Sequence, residues 1–316
     1  MALNFQSTQK RFDPDAHYAG AMQPPPAYTH HVKRRYLDVP YTPFSKRSLP
    51  AHALDLYLPD EGQGPFPVIL SFHGGAFMGC DKADVQLLPM LEGLRRGYAV
   101  VAVNYRLSWE AAFPALVQDA KAAVRWLRGN ADWYHLDPEK VAAWGGSAGG
   151  YLSTMLGVSA GIPELEDLSL GNPDQDCHVQ AVVDWFGPTD FLRMDEQLAA
   201  SGLAPMAGME HSGEDSPESL LLGASIAGIP ERVRAANPET YVRENAAPFL
   251  IQHGIADFTV PVQQSIGLAE ILKRFCGKDR VTLELLEGFE HGDRRFESPV
   301  NVDRVLDFID EHLKCV

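Results

Sequence analysis

Cysteine is scarce in this chain of 316 residues, and its four copies, Cys80, Cys177, Cys276 and Cys315, form no C-x-x-C pair and stand beside no histidine at metal-ligand spacing. A disulfide scaffold and a Cys/His metal site are both excluded, and the four read as free thiols of a reducing compartment. Basic residues are also few. Against 42 Asp and Glu there are 27 Lys and Arg, a formal net charge of −15. A surface this acidic repels phosphate backbones and anionic lipid, so neither nucleic acid nor a membrane is an expected partner. No apolar run approaches the roughly 18 residues that span a bilayer. The opening Met1-Ala2-Leu3-Asn4-Phe5-Gln6 lacks the basic and apolar regions of a secretory signal. A soluble cytoplasmic protein is expected, although a secreted form shorn of its leader would read the same way. No internal repeat is visible.

What is present is an ordinary globular composition, 45% hydrophobic and 22% charged. That is enough apolar matter for one large core or two small ones. Residues 1–34, polar and carrying Pro24-Pro25-Pro26, show no period and read as an N-terminal arm, mobile or laid over the body. From 35 to 316 short β-rich runs alternate with helical patterns, the mark of an α/β domain with a mostly parallel sheet. Eight strands are expected at 35–39, 53–57, 67–72, 98–104, 141–144, 181–186, 249–253 and 281–286. Leu116, Ala120, Ala123, Val124 and Leu127 line one face of a helix. Further helices are expected at 83–96, 148–159, 262–276 and 301–313.

Between the sixth and seventh strands the rhythm breaks. Residues 187–247 read as a small helical cap, with Met194, Leu198, Leu203, Met206 and Met209 before the polar break at His211-Ser212-Gly213-Glu214-Asp215. A fresh helix start follows at Ser216-Pro217-Glu218, where serine is the N-cap and proline the first helical residue.

Three segments bear chemistry. Trp144-Gly145-Gly146-Ser147-Ala148-Gly149-Gly150 lies between an expected strand and an expected helix, the context of a G-x-S-x-G nucleophile elbow. There glycine permits the sharp turn that lifts a serine hydroxyl off the sheet, and the Ala148 amide sits at a helix N-terminus that favours negative charge. His73-Gly74-Gly75-Ala76-Phe77 follows the third strand, and its glycines can bring amides to a developing oxyanion. His73 itself reads as a residue that holds this loop. A serine needs a base, and the base an orienting acid. Asp257 closes His253-Gly254-Ile255-Ala256-Asp257 after the seventh strand, and His291 lies in Glu287-Gly288-Phe289-Glu290-His291-Gly292 after the eighth. The chain order Ser147, Asp257, His291 is that of an α/β-hydrolase. Asp190, after the sixth strand, is the rival acid, and Asp293 is expected to face solvent. Arg106 is expected to grip a carboxylate in two-pronged fashion and hold the loop beside the site. Phe77, Trp109 and Trp185 are candidate aromatic walls of a substrate pocket, Trp109 being equally readable as packing.

Taken together, His73-Gly74-Gly75-Ala76-Phe77, Asn104-Tyr105-Arg106-Leu107, Gly145-Gly146-Ser147-Ala148-Gly149-Gly150, Ala236-Asn237-Pro238-Glu239-Thr240-Tyr241 and His253-Gly254-Ile255-Ala256-Asp257 resemble an α/β-hydrolase of the esterase/lipase superfamily. More narrowly they are similar to the bifunctional acetylxylan and feruloyl esterases, relatives of the hormone-sensitive-lipase-like esterases. The latter usually carry Asp where this chain has Gly146 and Pro where it has Trp109. The resemblance implies Ser147 as nucleophile, His291 as base and then acid, Asp257 as orienter, and the amides of Gly74, Gly75 and Ala148 as the oxyanion hole. It implies neither metal nor organic cofactor. The expected activity is hydrolysis of a small-molecule or oligosaccharide ester, of short-chain acyl or aryl and sugar-linked kind, through an acyl-enzyme. An arylformamidase or amidase using the same triad and a non-catalytic binding protein on this fold are the alternatives, and a homo-oligomer is left open.

Overall fold

The strands form because apolar runs rich in Val, Ile and Leu are bounded by Gly, Pro and polar clusters; the runs in the middle of the sheet bury both of their faces, while the first and last runs stay partly exposed. A computed structural model of the chain describes residues 24–43, 50–203 and 210–314. Residues 1–23 of the expected arm, Met206 and Met209 of the expected cap, and Cys315 lie outside the described residues. The strands are β1 (Arg34–Pro40), β2 (Ala53–Leu58), β3 (Phe66–Phe72), β4 (Ala99–Val103), β5 (Leu136–Gly146), β6 (Ala181–Trp185), β7 (Phe249–Gly254) and β8 (Val281–Leu286). They make one sheet in the order β1-β2-β4-β3-β5-β6-β7-β8. β1 and β2 run antiparallel to their neighbours, and every other pairing is parallel. This is the α/β-hydrolase architecture.

Side chains alternate between the two faces. Val68, Leu70, Val101, Val103, Val141 and Ala143 join one buried cluster together with α1 (Ala115–Gly129) and α2 (Ala148–Ser159). Ile69, Val100, Ala102, Ala142 and Trp144 join the other, covered by Leu87, Met90 and Leu91 and by the C-terminal helix Pro299–Leu313. The expected helix at 83–96 is instead a chain of short turns: a 3-10 turn at Val85–Leu87, one α-turn at Leu88–Leu91 and a 3-10 stretch at Glu92–Arg96. Pro89 has no amide to continue a helix. Gly93 packs so tightly on the sheet that a Cβ there would lie 2.6 Å from Ile69 Cδ1.

Within 187–247 the described residues form α3 (Met194–Ala200), α4 (Pro217–Leu222) and α5 (Pro230–Ala236) with connecting 3-10 turns. Ser216 caps α4, its hydroxyl accepting from Ser219 N at 3.1 Å. The segment is tied to the body at Tyr151, whose hydroxyl donates to Ala236 O, and at His211, whose Nε2 donates to Thr259 O at 2.8 Å.

Candidate active site

Ser147 occupies the turn from β5 into α2 with φ +56° and ψ −121°, a conformation an L-residue adopts only where its surroundings impose it. The surroundings here are backbone against backbone. A Cβ on Gly149 would run into the Phe72 carbonyl, and one on Gly145 would lie 2.5 Å from the Gly149 carbonyl oxygen. Ser147 N donates to Trp185 O at 2.8 Å, which pins the turn to β6.

The loops after β7 and β8 are stitched together by Ala256 N donating to Phe289 O at 3.0 Å and Ile255 N to Leu286 O at 3.0 Å. They bring Asp257 and His291 to Ser147. His291 Nδ1 lies 2.7 Å from Asp257 Oδ2, and His291 Nε2 lies 3.0 Å from Ser147 Oγ. A carboxylate can only accept, so Nδ1 carries the proton and Nε2 is left to accept from the Ser147 hydroxyl. The second oxygen of Asp257 accepts from Thr259 N and Val260 N, each at 2.8 Å. Burial by itself would raise the Asp257 carboxyl. The neighbouring His291, with the hydrogen bonds from His253 and His291, outweighs burial and holds the group well below the usual carboxylate range.

Asp190 is turned elsewhere: it accepts from Asn237 Nδ2 at 3.0 Å and makes no bond to His291. Asp293 is bound to Arg295 and caps the turn that follows. Arg106 grips Asp119 as expected, Nη2 to Oδ1 at 2.7 Å and Nε to Oδ2 at 2.8 Å.

The loop after β3 departs from expectation at Gly74. Its amide donates to the Gln86 side chain, Oε1 at 2.9 Å, and so is already taken. Gly75, Ala76 and Phe77 follow with φ of +105°, +53° and +63°. Among the described residues the amides of Gly75, Ala76 and Ala148 donate to no protein acceptor. Gly75 O accepts from Met78 N and Gly79 N, and Phe77 O accepts from Ser108 N and its hydroxyl. His73 does hold the loop. Its ring stacks on Tyr105 with centroids 4.5 Å apart, and the Tyr105 hydroxyl donates to His73 O at 2.8 Å.

Two of the three expected pocket walls, Phe77 and Trp185, are buried. Left-handed backbone at Phe77 turns its ring down into the core, edge-on to Tyr151, with 2% of the residue exposed. Trp185 is 4% exposed, edge-on to Trp144, and its indole N–H donates to Gln252 Oε1 at 2.7 Å. Trp109 stands at the surface, 38% exposed.

Three residues near the site escaped the sequence. Phe186 lies edge-on to His291, centroids 4.8 Å apart. His253 lies fully buried behind Asp257, its Nε2 2.8 Å from Val260 O and 3.3 Å from Asp257 Oδ2 while Nδ1 accepts from Ser265 at 2.6 Å. Its spacing four residues before Asp257 was the available signal. Asp184 is buried beneath the turn that carries Ser147, one oxygen accepting from Gly187 N at 2.9 Å and the other unpartnered. Burial, opposed by the Gly187 hydrogen bond, pushes its carboxyl up to about 6.

Cys80 is half-buried beside Gly75, and burial pushes its thiol up to about 11, so the thiolate is rare at neutral pH. Among the described residues no three His, Cys, Asp or Glu side chains are grouped to hold a metal ion. No helix among them is long and apolar enough to cross a membrane.

With this geometry in view, the comparisons with known proteins are specific. The BD-FAE family profile matches residues 54–272. The chain is 30% identical over 223 residues to the probable carboxylic ester hydrolase LipM of Mycobacterium tuberculosis, covering 70% of this chain and 48% of the relative. It is 31% identical over 246 residues to esterase LipC of the same organism, covering 77% and 57%. The chain thus spans about half the length of the curated relatives it matches. Among solved structures, a truncated carbohydrate esterase from gut microbiota superposes with a TM-score of 0.79 at 29% identity, covering 91% of this chain and 99% of that one. The bifunctional GH43-CE of Bacteroides eggerthii superposes with a TM-score of 0.77 at 30% identity, covering 88% and 35%.

Proposed function

The chain belongs to the BD-FAE family, and from that premise we propose that it is a serine carboxylesterase working through an acyl-enzyme. The observation that carries the proposal is the unbroken chain of hydrogen bonds from Asp257 through His291 to Ser147 Oγ. A serine hydroxyl is too weak an acid to attack unaided. As Oγ bonds to the ester carbonyl carbon, its proton passes to His291 Nε2, and Asp257 stabilises the imidazolium that forms. The carbonyl oxygen becomes an oxyanion, for which the amides of Gly75, Ala76 and Ala148 are the donors we assign, Gly74 being engaged by Gln86. Collapse breaks the C–O bond to the alcohol, which takes the proton from His291. Water then gives a proton to the same nitrogen and its hydroxyl to the acyl carbon; collapse breaks the bond from that carbon to Ser147 Oγ, which takes the proton back from His291 Nε2 as the acid leaves.

The substrates we propose are short-chain acyl esters and aryl or sugar-linked esters, acetyl and feruloyl esters of plant polysaccharide among them. Support comes from the names of relatives, which are esterases, and of structural neighbours, which include carbohydrate esterases. A panel of p-nitrophenyl esters run beside methyl ferulate, acetylated xylan and a formanilide tests this. We expect the highest kcat/KM on acetate to butyrate, a steep fall beyond about eight carbons, and loss of all turnover in Ser147→Ala with the fold intact. Preference for emulsified long-chain triglyceride, or for the formanilide, would replace the substrate class. A Ser147→Ala variant retaining appreciable rate would displace the nucleophile.

A further inference from the structure

Gln86 joins the loop after β3 to the N-terminal segment, and the reaction scheme gives it no part. Its Oε1 accepts from Gly74 N at 2.9 Å while its Nε2 donates to Asp84 Oδ2 at 3.1 Å. Asp84 is buried and caps the turn that carries Gln86, its Oδ1 accepting from Gln86 N at 2.9 Å and its Oδ2 from Asp81 N at 3.2 Å. Outside that turn lies the chain's N-terminal segment. Ala27 N donates to Ala83 O at 2.7 Å and Val85 N to Pro25 O at 2.9 Å, with Pro26 bridged antiparallel to Asp84. On the other side, a Cβ added to Gly74 would lie 2.9 Å from Gln86 Oε1, 3.1 Å from Gly146 O and 3.5 Å from Ser147 Cβ. Gly74 is therefore clamped between the Gln86 carboxamide and the nucleophile turn.

We propose that Gln86 is a positioning residue for the oxyanion loop, and that the paired strand Pro25–Ala27 holds Gln86 in place from outside. Two successive glycines, Gly74 and Gly75, lack the side chains that would narrow their backbone choices, so their orientation depends on what restrains them from outside. Fixing the Gly74 amide on Gln86 fixes the peptide plane from which the Gly75 and Ala76 amides continue toward Ser147. Donors oriented before the reaction cost nothing to reorganise as charge develops, which is where oxyanion stabilisation gets its strength. A carboxamide suits the task in a way a carboxylate would not. Glutamate could still accept from Gly74, but it would set a second negative charge against Asp84 and raise the potential where the oxyanion forms.

The inference rests on the serine esterase reading for its catalytic consequence, so the 316-residue chain is tested by three measurements, the first of which, amide exchange, needs no turnover. Gln86→Met keeps the bulk and loses the acceptor. Hydrogen–deuterium exchange of the 73–79 peptide should quicken in this variant by roughly tenfold, about what loss of one restraining bond allows, while exchange elsewhere is unchanged. Ala27→Pro, which deletes the Ala27 donor, should quicken the same peptide less. On p-nitrophenyl acetate, Gln86→Met should lose about 10- to 100-fold in kcat at nearly constant KM, the scale of a small misplacement of catalytic groups. Affinity for a trifluoromethyl ketone that adds to Ser147 should fall by the same factor as kcat/KM. Gln86→Glu should be no better than Gln86→Met. Unchanged exchange of the 73–79 peptide in Gln86→Met overturns the inference even if the chain proves a good esterase, and so does a loss confined to KM. A wild-type chain inactive on every ester tested sinks the esterase reading instead, and leaves the exchange result to decide whether Gln86 holds the loop.

Discussion

Ser147, Asp257 and His291 are carried on the ends of β5, β7 and β8, where parallel register and backbone-to-backbone bonds such as Ala256 N to Phe289 O set their spacing. The loop after β3 also leaves a paired strand, but past Phe72 its backbone bonds are those of its own turn, Met78 N and Gly79 N to Gly75 O, and one from Ser108 N to Phe77 O. The rest of its hold comes from side chains elsewhere in the chain: Gln86 on Gly74 N, Tyr105 on His73 O and Ser108 on Phe77 O. The first half of the site takes its geometry from the sheet, and the second borrows it from neighbours. Damage to the first should therefore be abrupt, and damage to the second graded and divisible among several residues.

Substitutions in the strand-end half should be the most severe. Asp257→Asn leaves the shape but presents His291 with a donor, favouring the wrong imidazole tautomer, and should cost about 10³- to 10⁴-fold in kcat. Asp190→Asn, by contrast, should cost little, because that carboxylate serves Asn237. If Asp190→Asn proved the worse of the two in steady-state kinetics, the acid would lie after β6.

Gly149→Ala tests whether the elbow depends on contact between backbones. The added methyl would run into the Phe72 carbonyl, so thermal unfolding should register a loss of about 1–3 kcal/mol, the usual range for overpacking, together with poor turnover. A stable, active Gly149→Ala variant would show that the elbow can relax, weakening the contrast between the halves.

In the borrowed half, Tyr105→Phe removes the bond to His73 O but keeps the ring stacked on His73. Stability should fall by about 1 kcal/mol and kcat by about tenfold or less, a smaller change than either substitution above. An effect as large as that of Asp257→Asn would mean that the loop hangs on one residue.

The smallest effect on turnover is expected at Asp184, where the readout is stability against pH. A carboxyl held up at about 6 in the fold and near 3.9 when unfolded binds its proton more tightly in the folded state. Its stabilising contribution is complete below about pH 4 and is lost as pH rises through 6. Asp184→Asn should therefore gain on the wild type between pH 4 and 7, by about 1–3 kcal/mol at most, with kcat little altered. Parallel melting curves across that range would place the charged carboxylate in a better-solvated setting than its burial indicates.

The eight strands were legible because β-rich apolar runs between turn residues announce themselves, and most of their ends fall within a residue or two of expectation. β5 is the exception, starting at Leu136 and not at 141, since its polar first half pairs with Phe66 through a register shift that no local pattern signals. The three residues that the structure joins by hydrogen bonds, Ser147, His291 and Asp257, were legible as an order of residues at strand ends. Which amides of the glycine loop are left without a protein acceptor was not: whether the Gly74 amide is available depends on a glutamine twelve residues later. Nor could aromatic identity reveal that Phe77 and Trp185 point inward, because the face a side chain takes follows from a positive φ in one case and from strand alternation in the other.

By itself the amino-acid sequence determined what local chemistry can dictate: where strands and helices form, where glycine permits a turn, and that a serine, an aspartate and a histidine stand at the ends of strands. Periodicity and turn propensity act over a few residues, so they are written in short stretches of chain. Tertiary structure alone decided which amide of the glycine loop is taken, which carboxylate meets His291 and which aromatic rings are core. Those outcomes depend on distances between residues far apart in the chain, and only the packing of the sheet, its helices and the N-terminal segment sets such distances.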